Sequence, residues 1–360
     1  MKKIGTLKTP FAVFMLIFAL MMTGCGSTND NAAATETPPT ATVTPTSVPE
    51  LTENPTEAPA EPDVPATVEI TDIYGTVTVP VNPQRVIALD NRTFQTLEAW
   101  GVELVAGPKP IMPEGLGYKT DDSIMDIGSH NDPNLEVIAA ADPDLVIIGQ
   151  RFAGRYDEIK ALVPNAAVIN LNMDVSVDAE NAGDNLINGF KDFTLALGQI
   201  FDKNVEAAQM VANLDASIAA AKAAYSPETT IMTLIVSGGD IRFAAPGSGR
   251  LWGPLYEVFG WTSSLEIDNA SSDHQGDDIS IEAIAQSNPD WIFVMDRDAM
   301  NTSADGYVSA HDVIANAPAL ADITAVTENQ MVFSPNDAYV NESIQTFTAL
   351  FHELARVMAN

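Results

Sequence analysis

The sequence predicts an α/β protein of two Rossmann-like lobes with mainly parallel sheets, joined by one long helix. Three observations predict it: short apolar runs alternate with helical patterns, one stretch is echoed 146 residues later, and an unbroken helical pattern lies between the echoes. The apolar runs at 85–89, 145–148, 168–171, 231–236, 291–295 and 331–333 read as buried strands. Between them lie amphipathic helices, such as 93–100 closed by Gly101 and 136–141 closed before Pro143. Strand and helix in alternation build parallel sheets.

The echo pairs LEVIAAADPDLVIIGQR at 135–151 with IEAIAQSNPDWIFVMDR at 281–297. Without gaps, Glu136 falls on Glu282, Pro143 on Pro289, Asp144 on Asp290 and Arg151 on Arg297. Each copy is a helix, a Pro-Asp turn, an apolar strand, and an arginine just past the strand's carboxyl end. Ligands of open α/β sheets bind outside those ends, so two facing lobes would aim Arg151 and Arg297 into one cleft. The pattern at 202–225 is rich in alanine, lacks internal Pro and Gly, and carries Val205, Ala208, Val211 and Leu214 at helical spacing. Such a helix is about 35 Å long at 1.5 Å per residue, enough to bridge the lobes as a strut.

The N-terminal region reads as an address. Lys2, Lys3 and Lys8 precede an apolar run over 11–22, too short for a permanent membrane helix. Met22-Thr23-Gly24-Cys25 follows, and Cys25 is the one cysteine of the chain. This resembles a bacterial lipobox, which implies cleavage before Cys25, a lipid on its sulfur, and an extracytoplasmic, membrane-anchored protein. Residues 26–66 are rich in Thr, Pro, Ala and Glu and lack Lys and Arg, the composition of an extended tether. The domain plan is therefore signal and lipobox 1–25, tether 26–66, N-terminal lobe 67–201, connecting helix 202–225 and C-terminal lobe 226–360.

The formal charge of −32, with only 17 Lys and Arg in 360 residues, argues against a nucleic-acid partner. It also makes any arginine at a cleft mouth conspicuous. The chain carries no Gly-x-Ser-x-Gly, no His-Glu-x-x-His and no Gly-Lys-Ser/Thr after its glycine-rich loop, so no enzyme class is indicated and no permanent cofactor is expected. Four scattered histidines poorly supply a bare metal ion.

Four stretches together resemble the periplasmic-binding family that serves iron-siderophore and vitamin B12 importers, and within it the binders of catecholate siderophores. They are RVIALDNRTFQTLEAWG, DIGSHNDPNLEVIAAADPDLVIIGQR, APGSGRLWGPLYEVFG and DHQGDDISIEAIAQSNPDWIFVMDR, and the likeness covers roughly residues 68–360. The resemblance implies a monomeric solute-binding protein that hands a ferric siderophore to an ABC permease in the same membrane. It implies ligand contacts at Arg151, Arg250 and Arg297, with Arg92 as a fourth, and permease docking through Glu136 and Glu282. Guanidinium groups suit an anionic catecholate complex, because they present a planar fork of donors to oxygen and keep their charge. Three of them would balance a tris-catecholate trianion. Relatives that complete an open iron shell do so with a His and a Tyr, matched here by His274 and Tyr339. Tyr339 is followed by Val-Asn-Glu where those relatives carry a glycine-rich stretch, so direct ligation of iron stays open. His130, His311 and His352 read as turn or surface residues. Haem or cobalamin would use aromatic side chains such as Trp252, Trp261 and Phe243; a hydroxamate complex carries less negative charge and gains less from three arginines.

Overall fold

The computed structural model describes residues 66–176, 178–271 and 274–359; Cys25, the signal region and the tether lie outside them. The first lobe opens with an antiparallel hairpin, β1 (Thr67–Asp72) and β2 (Gly75–Pro80), and continues with β3 (Val86–Ala88), α1 (Phe94–Ala99), β4 (Leu104–Gly107), α2 (Gly117–Thr120) and β5 (Met125–Asp126). Then come α3 (Leu135–Ala140), β6 (Leu145–Ile148), α4 (Tyr156–Leu162) and β7 (Ala167–Asn170). β3 to β7 form one parallel sheet in the order β5-β4-β3-β6-β7. The chain reverses direction across this sheet between β3 and β6, so a crevice opens at the carboxyl ends of those two strands.

Two long helices follow, α5 (Ala182–Ile200) and α6 (Asn204–Ala224). The second lobe holds β8 (Thr230–Ser237), β9 (Asp240–Phe243), α7 (Gly253–Phe259), β10 (Thr262–Ser263), α8 (Ile281–Ser287), β11 (Trp291–Asp296), α9 (Ala310–Ala315), α10 (Thr324–Thr327), β12 (Met331–Phe333) and α11 (Ile344–Met358). Its sheet runs β10-β8-β11-β12, all parallel, with β9 antiparallel on β8. The reversal recurs here between β8 and β11.

Both sheets are covered on both faces, which is why their strands are apolar throughout instead of alternating. In the first lobe Val86, Ala88, Leu145 and Ile147 bury on one face while Ile87, Leu89, Val146 and Ile148 bury on the other. In the second, Ile231, Ile235, Phe293 and Met295 oppose Met232, Leu234, Ile292 and Val294.

The echoed units fold alike down to their turns. α3 ends with Asp142 at φ 44° and α8 with Asn288 at φ 41°, left-handed positions at the same offset, each followed by proline. The aspartate after each proline then ties down the neighbouring strand. Asp144 accepts from the Gln84 and Arg85 amides at 2.7 and 3.0 Å, and Asp290 accepts from the Thr230 amide at 2.7 Å. Pro-Asp is thus the brace of each sheet.

The expected helix at 202–225 is present as α6, but the bridge between the lobes is the helix before it. Leu186, Ile187 and Phe190 of α5 join the core of the second lobe, Leu197 and Ile200 join that of the first, and Phe193 packs against both. α6 instead buries Leu214 and Ala221 in the second lobe and lies along α11. Val205 fails as an apolar contact, standing 81% exposed. The packing follows from the residues: α5 carries a wide apolar face, while alanine-rich α6 has little apolar bulk to offer two cores.

Candidate functional site

The crevice ends of β3 and β6 carry the first-lobe arginines. After β3 the chain runs Leu89-Asp90-Asn91-Arg92, fully or almost fully buried, and after β6 it runs Gly149-Gln150-Arg151. Gly149 is required by proximity: a Cβ there would stand 2.1 Å from Asp90 Oδ1. In the second lobe Arg297 follows β11, and its Nη1 donates to Ser237 Oγ at the end of β8 at 2.8 Å. Arg250 leaves the glycine-rich loop before α7. Its neighbour Leu251 sits at φ 64°, a left-handed conformation that costs a residue with a Cβ on the order of 1 kcal/mol. Close packing holds that strain in place, since Leu251 is buried and a Cβ on Gly249 would meet the Ala244 backbone at 2.4 Å.

These side chains converge on Tyr339, on the turn after β12. Arg151 and Arg250 both donate from Nη2 to the Tyr339 carbonyl, at 3.4 and 3.1 Å, one from each lobe. The guanidinium carbons of Arg151, Arg250 and Arg297 stand 5.9, 4.9 and 4.8 Å from the centroid of the Tyr339 ring. The electron-rich face of the ring attracts each cation. His274 lies next to them, its ring centroid 6.4 Å from that of Tyr339.

A cavity of about 360 Å³ opens beside this cluster, lined by Arg92, Arg250, His274, Ser248, Glu342 and residues of the 172–176 turn. Another of about 410 Å³ is lined by Tyr339, Arg297, Tyr307 and residues of the 298–306 loop. The Nε atoms of Arg92, Arg151, Arg250 and Arg297 and the Ser248 hydroxyl are buried without a partner among the described residues. Buried donors left open cost free energy that an anionic guest would recover.

Two carboxylates that sequence reasoning did not single out stand among the arginines. Glu342 Oε1 lies 2.9 Å from Arg250 Nη2, and Arg250, Arg92 and Arg151 outweigh the burial that opposes its ionisation, leaving its pKa lowered. Asp90 is raised to about 6 by burial, which its proximity to Arg92 only partly offsets. Arg151 itself is pushed down by burial and by Arg250. His130, read from sequence as a turn or surface residue, is half-buried with its pKa lowered by burial and then by Arg151 and Arg250, which places it at the cluster's rim. His311 is exposed and His352 lies in a groove between α6 and α11.

The lobes meet through the same segment. Asn91 Nδ2 donates to the Val340 carbonyl at 2.6 Å, and Gln95 Oε1 accepts from Asn341 Nδ2 and Ser343 Oγ at 3.1 and 2.6 Å. Glu136 and Glu282 occupy the first turns of α3 and α8, both exposed and without an ion-pair partner among the described residues. Each favours the positive end of its helix.

Two α/β lobes on one helix, with a basic crevice at both topological switch points, define a two-lobed solute-binding protein, and the chain belongs to the periplasmic binding protein family, whose profile matches residues 86–338. It is 32% identical over 246 residues to the petrobactin-binding protein YclQ of Bacillus subtilis, a match covering 67% of this chain and 73% of that one. It is 30% identical over 267 residues to the ferric-anguibactin-binding protein FatB of Vibrio anguillarum, covering 74% and 79%. Among solved structures, the siderophore-binding protein BauB, bound to a complex of two acinetobactin molecules and ferric iron, matches with a TM-score of 0.68 at 25% identity, over 81% of this chain and 98% of that one.

Proposed function

We propose that this protein captures an anionic ferric siderophore of catecholate type outside the cytoplasm and delivers it to an ABC permease. The observation that carries the reading is the meeting of Arg151 from one lobe with Arg250 and Arg297 from the other around Tyr339. A ferric catecholate presents negatively charged oxygens on its surface, and open guanidinium donors match them in charge and geometry. The names of the relatives YclQ, FatB and BauB, which refer to petrobactin, ferric anguibactin and an acinetobactin complex of ferric iron, support a siderophore as the cargo. The ferric complex is the cargo, and no resident cofactor takes part. Arg92 lines the cavity and serves as a fourth contact. His274 and Tyr339 line the guest's path, near enough to each other to approach one iron centre.

Delivery would use Glu136 and Glu282, exposed at equivalent points of the two lobes, against basic pockets of the permease. A lipid on Cys25 would hold the protein at the membrane, with residues 26–66 as the tether, and the protein would act as a monomer. The test is equilibrium dialysis of the purified protein against ferric tris-catecholate, neutral ferric tris-hydroxamate, haem and cobalamin. Retention of the ferric catecholate above the others is the expected result; preferential retention of the hydroxamate, haem or cobalamin refutes the cargo assignment.

A further inference from the structure

Four arginines stand at the cleft, yet they are not equally available to a guest. Arg250 is already ion-paired with Glu342 at 2.9 Å, and both side chains are largely withdrawn from solvent, at 15% and 11% exposure. Glu342 lines the same cavity as Arg92 and Arg250. Its charge also acts on Arg151 and Arg92 of the opposite lobe, so it sits electrically between the lobes. Arg297 differs: its carboxylate neighbour Asp298 is 3.8 Å away and stands at 39% exposure, where water screens it.

We infer that Glu342 is a built-in counter-anion that sets the charge the cleft accepts, lowering by one the negative charge its arginines can neutralise. This rests on the reading that the guest is an anionic ferric complex. A buried carboxylate of fixed charge repels each negative charge of the guest, so its penalty grows with guest charge. A trianionic tris-catecholate complex is penalised more than a monoanionic bis-catecholate one, whose two remaining iron positions hold water. A neutral hydroxamate complex is indifferent. With Glu342 among them the four arginines present three net positive charges, so the cleft favours a trianion over a monoanion less than four unopposed cations would.

The experiment measures dissociation constants of synthetic ferric tris-catecholate, bis-catecholate and tris-hydroxamate complexes for wild type, E342Q and the double variant R250Q/E342Q. In E342Q the preference for trianion over monoanion should rise about tenfold or more, the scale of one partly screened unit charge a few ångströms from the guest. The double variant removes a cation and an anion together, so its preference should return to near the wild-type value. If Glu342 only holds Arg250 in position, E342Q displaces that cation and the preference for trianion over monoanion falls or stays unchanged, which overturns the inference. Thermal melts of both variants show whether they are folded; should E342Q not fold, the double variant decides, because an unchanged preference supports the charge account and a lost one contradicts it. Failure of wild-type protein to bind either catecholate complex would instead sink the functional reading beneath.

Discussion

Arg297 holds its guanidinium carbon 4.8 Å from the centroid of the Tyr339 ring, although the two residues come from different strand ends of the second lobe. The same ring serves Arg250 and Arg151, so Tyr339 is the common platform for three like charges that would otherwise repel one another. Replacing Tyr339 by Phe keeps the π face and should change affinity for a ferric catecholate by less than about threefold. Replacing it by Ala should cost about tenfold or more, since each cation–π contact in a desolvated site is worth on the order of 1 kcal/mol. Fluorescence titration of the two variants checks this, and equal losses in both would assign the effect to the hydroxyl.

Asp90 makes a pH prediction. Its folded pKa of about 6 lies above the ordinary 3.8, so the protonated form is favoured by folding. Its contribution to stability is therefore fully present below pH 4, is lost as the pH rises to about 6, and is constant above. The full swing is roughly 3 kcal/mol from a shift of about two pKa units. Urea denaturation of wild type and Asp90→Asn across pH 4 to 7 should show their stability difference moving by that amount against wild type. A constant difference would mean that Asp90 is ionised in the fold throughout this range.

Glu136 and Glu282 are exposed and pair with none of the cluster's arginines among the described residues. Replacing both by Ala should leave ferric-catecholate affinity unchanged and reduce iron uptake by cells that depend on this protein by about tenfold or more, the cost of losing two charge-assisted contacts with the permease. Loss of affinity in vitro would place them in folding or binding instead.

Helix α5 predicts a packing defect. A Cβ on Gly198 would lie 2.6 Å from that of Ala207 on α6. Gly198→Ala should therefore destabilise the protein by about 1–3 kcal/mol through overpacking, despite the better helix propensity of alanine. Chemical denaturation measures it, and a neutral or stabilised variant would show that α5 and α6 can part without cost.

Much of the architecture was legible because the strands are buried on both faces and their apolar runs stand out: 145–148 and 331–333 coincide with β6 and β12, and the others differ by one or two residues. The bridging helix was not. α5 contains Gly189 and Gly198, a residue type that weakens a helical pattern, whereas in the fold they are the points where Met173 and Ala207 come close. The regular alanine pattern of α6 drew attention to a helix that spans one lobe only. Arginines at strand ends could be placed in one cleft because strand direction fixes where the next residues emerge. Glu342 and Asp90 could not, since in a chain with 49 acidic residues nothing local marks the two that turn inward. Their meaning comes from long-range packing that brings 90, 250 and 342 together.

The most direct test of the account replaces Arg151 and Arg297 together by Gln and follows quenching of the tryptophan emission as a ferric bis-catecholate or tris-catecholate complex is added at low salt. Each arginine offers a charge-assisted contact worth about 1.5–3 kcal/mol, so the double variant should bind at least about a hundredfold more weakly than wild type while its affinity for a neutral ferric hydroxamate is unchanged. Equal catecholate affinity in the two proteins would contradict the claim that cations from both lobes hold an anionic guest.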